Sequence, residues 1–182
     1  MAERILFRLR RLNRWVALAV GLMFLACAAL VLLDIALRRL GCSSLGGTDE
    51  IAGYVMAIGT AWGMAFAMLE LAHVRIDFLR TLAGSKIRAA LDLLSMGAMA
   101  VSISVIAYWC WPVVAMTLKN ASHANTPLET PLALVQIPWF AGWLWFAVTA
   151  WLTMCAGLML VLQRRFQMAE NAIGVFPEHE AV

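Results

Sequence analysis

The side chains able to do chemistry in this sequence gather at the ends of its apolar stretches. Asp34 and Arg38 are spaced i, i+4, which on a helix puts a carboxylate and a guanidinium on one face. Both could snorkel to nearby headgroups, or the pair could face a partner helix. Arg39 follows directly. Asp49 and Glu50 open the next apolar run, where acidic residues suit the positive end of a helix and Thr48 or Asp49 could cap it. Helix capping alone leaves Arg38 and Arg39, at the other end of the same loop, unexplained. The expectation is therefore that Arg38 or Arg39 bridges Asp49 or Glu50.

Past the end of that second run stand Glu70, His73 and Asp77, within His73-Val74-Arg75-Ile76-Asp77. His73 and Asp77 at i, i+4 offer a metal only two ligands, and Arg75 opposes a cation, so structural hydrogen bonding is the better reading. The cysteines are Cys27, Cys42, Cys110 and Cys155, with no C-x-x-C pair. Neither a disulfide framework nor a zinc site is expected, and no cofactor is. Nucleotide-binding loops, H-E-x-x-H and Ser/His constellations are absent.

The elements that must position these groups are membrane spans. Of 182 residues, 63% are hydrophobic and only 14% charged, against about 25% charged in soluble domains. Four apolar runs cover about residues 15–37, 51–69, 89–116 and 138–162. Each can cross about 30 Å of hydrocarbon as a helix. Backbone groups in lipid must bond internally, so helices are required, and barrel-type alternation is missing. The fold class is an all-α integral membrane protein of four transmembrane helices. The first run is longer than a cleaved signal's apolar core, which predicts an anchor that stays.

Lys and Arg set the orientation. Eleven fall on the side of the N-terminal segment, the loop after the second run and the tail, against three on the other side. Both ends are expected in the cytoplasm, N-in and C-in. Basic residues flank spans and form no basic face of a folded domain, so nucleic acid is not an expected partner. Residues 1–14 place Ile5, Leu6, Leu9 and Leu12 on one face and Arg4, Arg8 and Arg11 on another. That predicts an amphipathic helix lying at the cytoplasmic surface. Val74, Phe78 and Leu82 predict a short interfacial helix between the second and third spans. Residues 117–137 read as an external loop and 166–182 as a loosely ordered cytoplasmic tail.

Gly59 and Gly63 form a G-x-x-x-G spacing that permits close helix approach. Trp15, Trp109, Trp111, Trp139 and Trp143 fall near span ends, as an aromatic belt does. No span carries a cluster of charges or a mid-span Gly-Pro break of the kind that builds transporter sites. By elimination the chain reads as a subunit.

The order of these features resembles the small permease subunit of TRAP (tripartite ATP-independent periplasmic) transporters, the DctQ-like family. The matching residues are Arg38-Arg39, then Asp49-Glu50, then a Gly-containing second span running into Glu70, His73-Val74-Arg75-Ile76-Asp77, and later Thr130-Pro131-Leu132 before Ile137-Pro138-Trp139. The resemblance covers roughly residues 1–165. It implies a large multi-helix membrane subunit and a periplasmic substrate-binding protein as partners, besides the lipid bilayer. It implies sodium-coupled uptake of an organic acid, of the C4-dicarboxylate, 2-oxo acid or sialic acid class. The small subunit would be a scaffold with no substrate site and no catalytic residue. Two rivals come from redox chemistry: a quinone-linked disulfide generator, which needs paired outer cysteines, and a haem anchor, which needs histidines at matched depth.

Overall fold

The chain is described by a computed structural model covering residues 2–41, 45–73 and 83–174. Its elements are α1 (Ala2–Arg39), α2 (Thr48–Leu69), α3 (Ser85–Asn120), α4 (Ala133–Leu162) and α5 (Phe166–Ile173). The first four are long and apolar enough to cross a membrane. At 1.5 Å per residue the 38 residues of α1 reach about 57 Å and the 22 of α2 about 33 Å. The helices overrun the apolar stretches because polar end turns stay helical where headgroups and water meet them.

Two expectations change here. The amphipathic segment is not a separate surface helix. It is the first turns of α1, continuous with the span. Ala2, Leu6 and Leu9 are buried in one cluster with Leu160 of α4 and with Ala169, Ala172 and Ile173 of α5. Its apolar face therefore meets protein, which removes the reason to lie flat on lipid. Nor is the tail structureless through residue 173. The chain reverses at Arg164 (φ 56°) and enters α5, whose Ile173 packs on Gly157. The predicted interfacial helix around Phe78 falls on residues 74–82, outside the described residues; α3 begins at Ser85.

α1 lies on α2, α2 on α4, and α4 on α3, while α5 closes over α3 and α4. We call the end that holds the N-terminus of α1 and all of α5 the terminal end, and the other the far end. The core runs from mid-bundle to the terminal end. It is built of Ala65, Met68 and Leu69, of Met96, Ala100 and Ile103, and of Phe146, Ala147, Ala150 and Ala156. Alanines dominate because lipid offers no hydrophobic drive between helices, so close backbone approach must supply the dispersion. Gly142 is the glycine whose close neighbours include backbone. A Cβ there would sit 2.8 Å from Ala61 Cβ and 3.1 Å from the Ala61 carbonyl carbon. Nearby, Trp62 Nε1 donates to the Pro138 carbonyl at 2.9 Å.

At the far end, α1 stops at Gly41 (φ 75°), and α2 starts after Gly47 (φ 74°). Gly47 is required twice over, by that φ and because Leu128 would lie 2.4 Å from an added Cβ. The α3–α4 loop, expected to be external, is shorter than the sequence pattern suggests, since α3 continues to Asn120 and α4 begins at Ala133. Backbone bonds Ala124 N to Thr130 O and Leu132 N to Ser122 O fold it back on itself.

Candidate functional site

Polar side chains concentrate at the two ends of the bundle. At the far end the organising group is Asp34, 2% exposed in the penultimate turn of α1. Its Oδ2 accepts from Arg38 at 2.5 Å and from the Thr48 hydroxyl at 3.0 Å. Its Oδ1 accepts the Leu45 backbone N–H at 2.8 Å. One buried carboxylate thus holds its own helix end, the following loop and the first residue of α2. A buried charge persists only when its lone pairs are filled, and here they are filled from three directions.

The expected bridge from Arg38 or Arg39 to Asp49 or Glu50 does not form. Arg38 is taken by Asp34, four residues back on the same helix, and among the described residues neither Asp49 nor Glu50 pairs with either arginine. The i, i+4 partner wins because both groups already sit on one rigid helix, whereas a loop-spanning bridge must order two long side chains.

Glu50 instead accepts the Tyr54 hydroxyl at 2.5 Å through Oε1. Its Oε2 is buried without a hydrogen-bond partner. Thr126, Thr130 and the Leu128 backbone close around the carboxylate. With Asp49, exposed beside it, Glu50 lines a cleft of about 560 Å³ between the start of α2 and the α3–α4 loop, with Gly53, Thr126 and Pro127. The arrangement can accept hydrogen bonds or a cationic side chain from outside.

At the terminal end, Arg165 meets Glu3 at 2.5 Å and Arg10 donates to the Asn171 carbonyl at 3.0 Å. Asn13 is fully buried. It accepts from Trp145 Nε1 at 3.0 Å and donates to the Leu9 carbonyl at 3.0 Å. Sequence reasoning passed over Asn13, though a lone amide among apolar residues at a span's edge is a readable signal.

The remaining predicted residues are scattered. Glu70 ends α2 and is exposed. The His73 ring lies 6.3 Å from that of Phe146. Asp77 lies outside the described residues. Gly59 receives Phe24 of α1, whose ring carbon would be 2.5 Å from an added Cβ, but Gly63 faces open space. Only one glycine of the G-x-x-x-G spacing is therefore a packing site, and Gly142 is a further close approach between helices. Trp15, Trp109 and Trp111 are exposed on the bundle surface. Among the described residues no three His, Cys, Asp or Glu side chains converge as a metal set, and Cys27, Cys110 and Cys155 are free thiols.

Against this geometry the comparisons are specific. A family model described as "Tripartite ATP-independent periplasmic transporters, DctQ component" matches residues 27–159, well over half of the chain. No curated protein and no solved structure matches.

Proposed function

The chain belongs to the DctQ family of tripartite ATP-independent periplasmic transporters, and from that premise we propose that it is the fixed scaffold beside a large transport subunit. The family match is the observation that carries this reading. In it, the large multi-helix subunit moves an organic acid with sodium, and a periplasmic binding protein delivers that acid. The substrate is of the C4-dicarboxylate, 2-oxo acid or sialic acid class, and the complex sits in the bacterial inner membrane with both ends of this chain cytoplasmic.

The geometry fits a scaffold. The most hydrophobic 18 residues of α1 include none that is buried, and toward the far end Leu32, Leu33 and Ile35 face outward. The helix is nevertheless pinned at both ends, by Asp34 at one and by Asn13 and Glu3 at the other. A wall held rigidly and left apolar on its outer side suits docking to another membrane protein. At the far end, the cleft of Asp49 and Glu50 offers an acceptor to a cationic side chain of the large subunit or the binding protein.

The test is co-purification. A tagged chain is extracted gently from its native membrane and its companions are identified. A stoichiometric multi-helix partner is expected. Glu50→Arg should cut its recovery, or organic-acid uptake by the complex, by roughly tenfold. Wild-type recovery together with wild-type uptake in that variant removes the docking role of the cleft. A chain that emerges alone, carrying quinone or haem, removes the scaffold reading altogether.

A further inference from the structure

One surface of α1 is neither packed nor purely apolar. Along the exposed side of α1, beside its contact with α2, two open depressions adjoin, here called chambers, and form one shallow groove. The lower, about 580 Å³, is lined by Phe7, Arg10, Arg11, Arg14, Trp15 and Leu18. The upper, about 430 Å³, shares Arg14 and Leu18 and continues past Gly21, Leu22 and Leu25, with Phe66 of α2 as its far wall. Arg11 and Arg14 are exposed, and among the described residues no carboxylate pairs with them. Arg10 is already turned toward the Asn171 carbonyl.

We propose that this groove is a binding site for one anionic phospholipid of the leaflet that meets the terminal end. Three features select a lipid over other occupants. Arginines and a tryptophan stand together at one level of the helix, where headgroup phosphates and the aromatic belt lie. Guanidinium groups match phosphate oxygens in pairs, so two free arginines suit a phosphodiester. From Arg14 to Leu25 the helix rises about 16 Å, close to half of a hydrocarbon core about 30 Å thick, which is the reach of one acyl chain. Gly21 leaves the middle of the path open, with nothing within 4 Å of where its Cβ would be. The site does not depend on what the large subunit transports. It concerns only which molecule covers this face of α1.

The experiment uses the intact complex, extracted in mild detergent and examined by native mass spectrometry after exposure to phosphatidylglycerol or phosphatidylcholine. Phosphatidylglycerol should be retained preferentially. The double variant Arg11→Gln/Arg14→Gln should lower its retention about tenfold. Gly21→Leu, which fills the acyl path without touching a charge or a packed neighbour, should do the same. The charge-matched control Arg4→Gln/Arg8→Gln, whose residues line neither chamber, should leave retention unchanged. Equal losses in both arginine doubles, or no loss with Gly21→Leu, would mean diffuse surface attraction and overturn the site. A photoreactive residue at Leu22, activated in native membranes, provides the second readout. A lipid adduct supports the proposal, and a polypeptide adduct shows that a protein subunit covers the groove instead.

Discussion

Asp34 is the residue on which the first helical hairpin depends. It accepts from the same helix, the loop and the start of α2. Removing the carboxylate leaves the buried Thr48 hydroxyl and the Leu45 amide without their acceptor, and an unmade bond to a buried group costs more than a made one contributes. Asp34→Ala is expected to lose roughly 2–4 kcal/mol, read as a clear fall in thermal midpoint in detergent. Arg38 is different, because its side chain is 53% exposed. Arg38→Gln should stay within about 1 kcal/mol of the wild type, since a half-exposed ion pair is screened by solvent. If the two variants fell equally, the ion pair rather than the loop clip would be the stabilising contact. The acidic residue of this pair was visible in the sequence, but its role was not. Spacing shows Arg38 within reach of Asp34, yet only the folded loop shows Thr48 and Leu45 arriving at the same carboxylate.

Helix contacts follow the same logic one level up. A G-x-x-x-G spacing suggested that both Gly59 and Gly63 pack, and the two do share a face one turn apart, but Phe24 of α1 reaches only Gly59. Gly142 makes the less yielding contact, with a backbone atom of Ala61 inside the reach of any side chain. Backbone cannot step aside as a flexible side chain can. Gly142→Leu should therefore separate α2 from α4 and destabilise by more than about 2 kcal/mol. Gly63→Ala should be neutral or add up to about 1 kcal/mol, because its surroundings are open and alanine is the better helix former. Thermal unfolding of the two variants side by side decides it, and an intolerant Gly63 would show that a partner subunit packs there in the complex.

The whole molecule is closed at its terminal end by a short helix. α5 has eight residues, too few to be stable alone, and it persists because Ala169, Ala172 and Ile173 are buried against the bundle. They share the cluster of Leu6 and Leu9, so the start and the end of the described chain meet in one core. A chain ending after Gln163 should expose Leu160 and Leu6, lower the thermal midpoint and become sensitive to protease. A chain ending after Gly174 keeps α5 and should be the more stable of the two. Equal stability of the two truncations would show that α5 is a passenger on the bundle.

What the sequence alone determined is the class of molecule and the number and approximate place of its spans. Those follow from composition and run length, because lipid forbids unpaired backbone groups and leaves helices as the solution. It also supplied the family, through His73-Val74-Arg75-Ile76 and the acidic pair, and the family model agrees. The tertiary structure decided which partner each polar group takes. Asp34 rather than Glu50 holds the arginine, Gly142 rather than Gly63 admits a neighbour, and Asn13 finds Trp145 on another helix. Such choices depend on the rotation and depth at which helices meet. A periodic pattern states which face of a helix is apolar, but several rotations bury nearly the same apolar area. Only the packed bundle selects one of them.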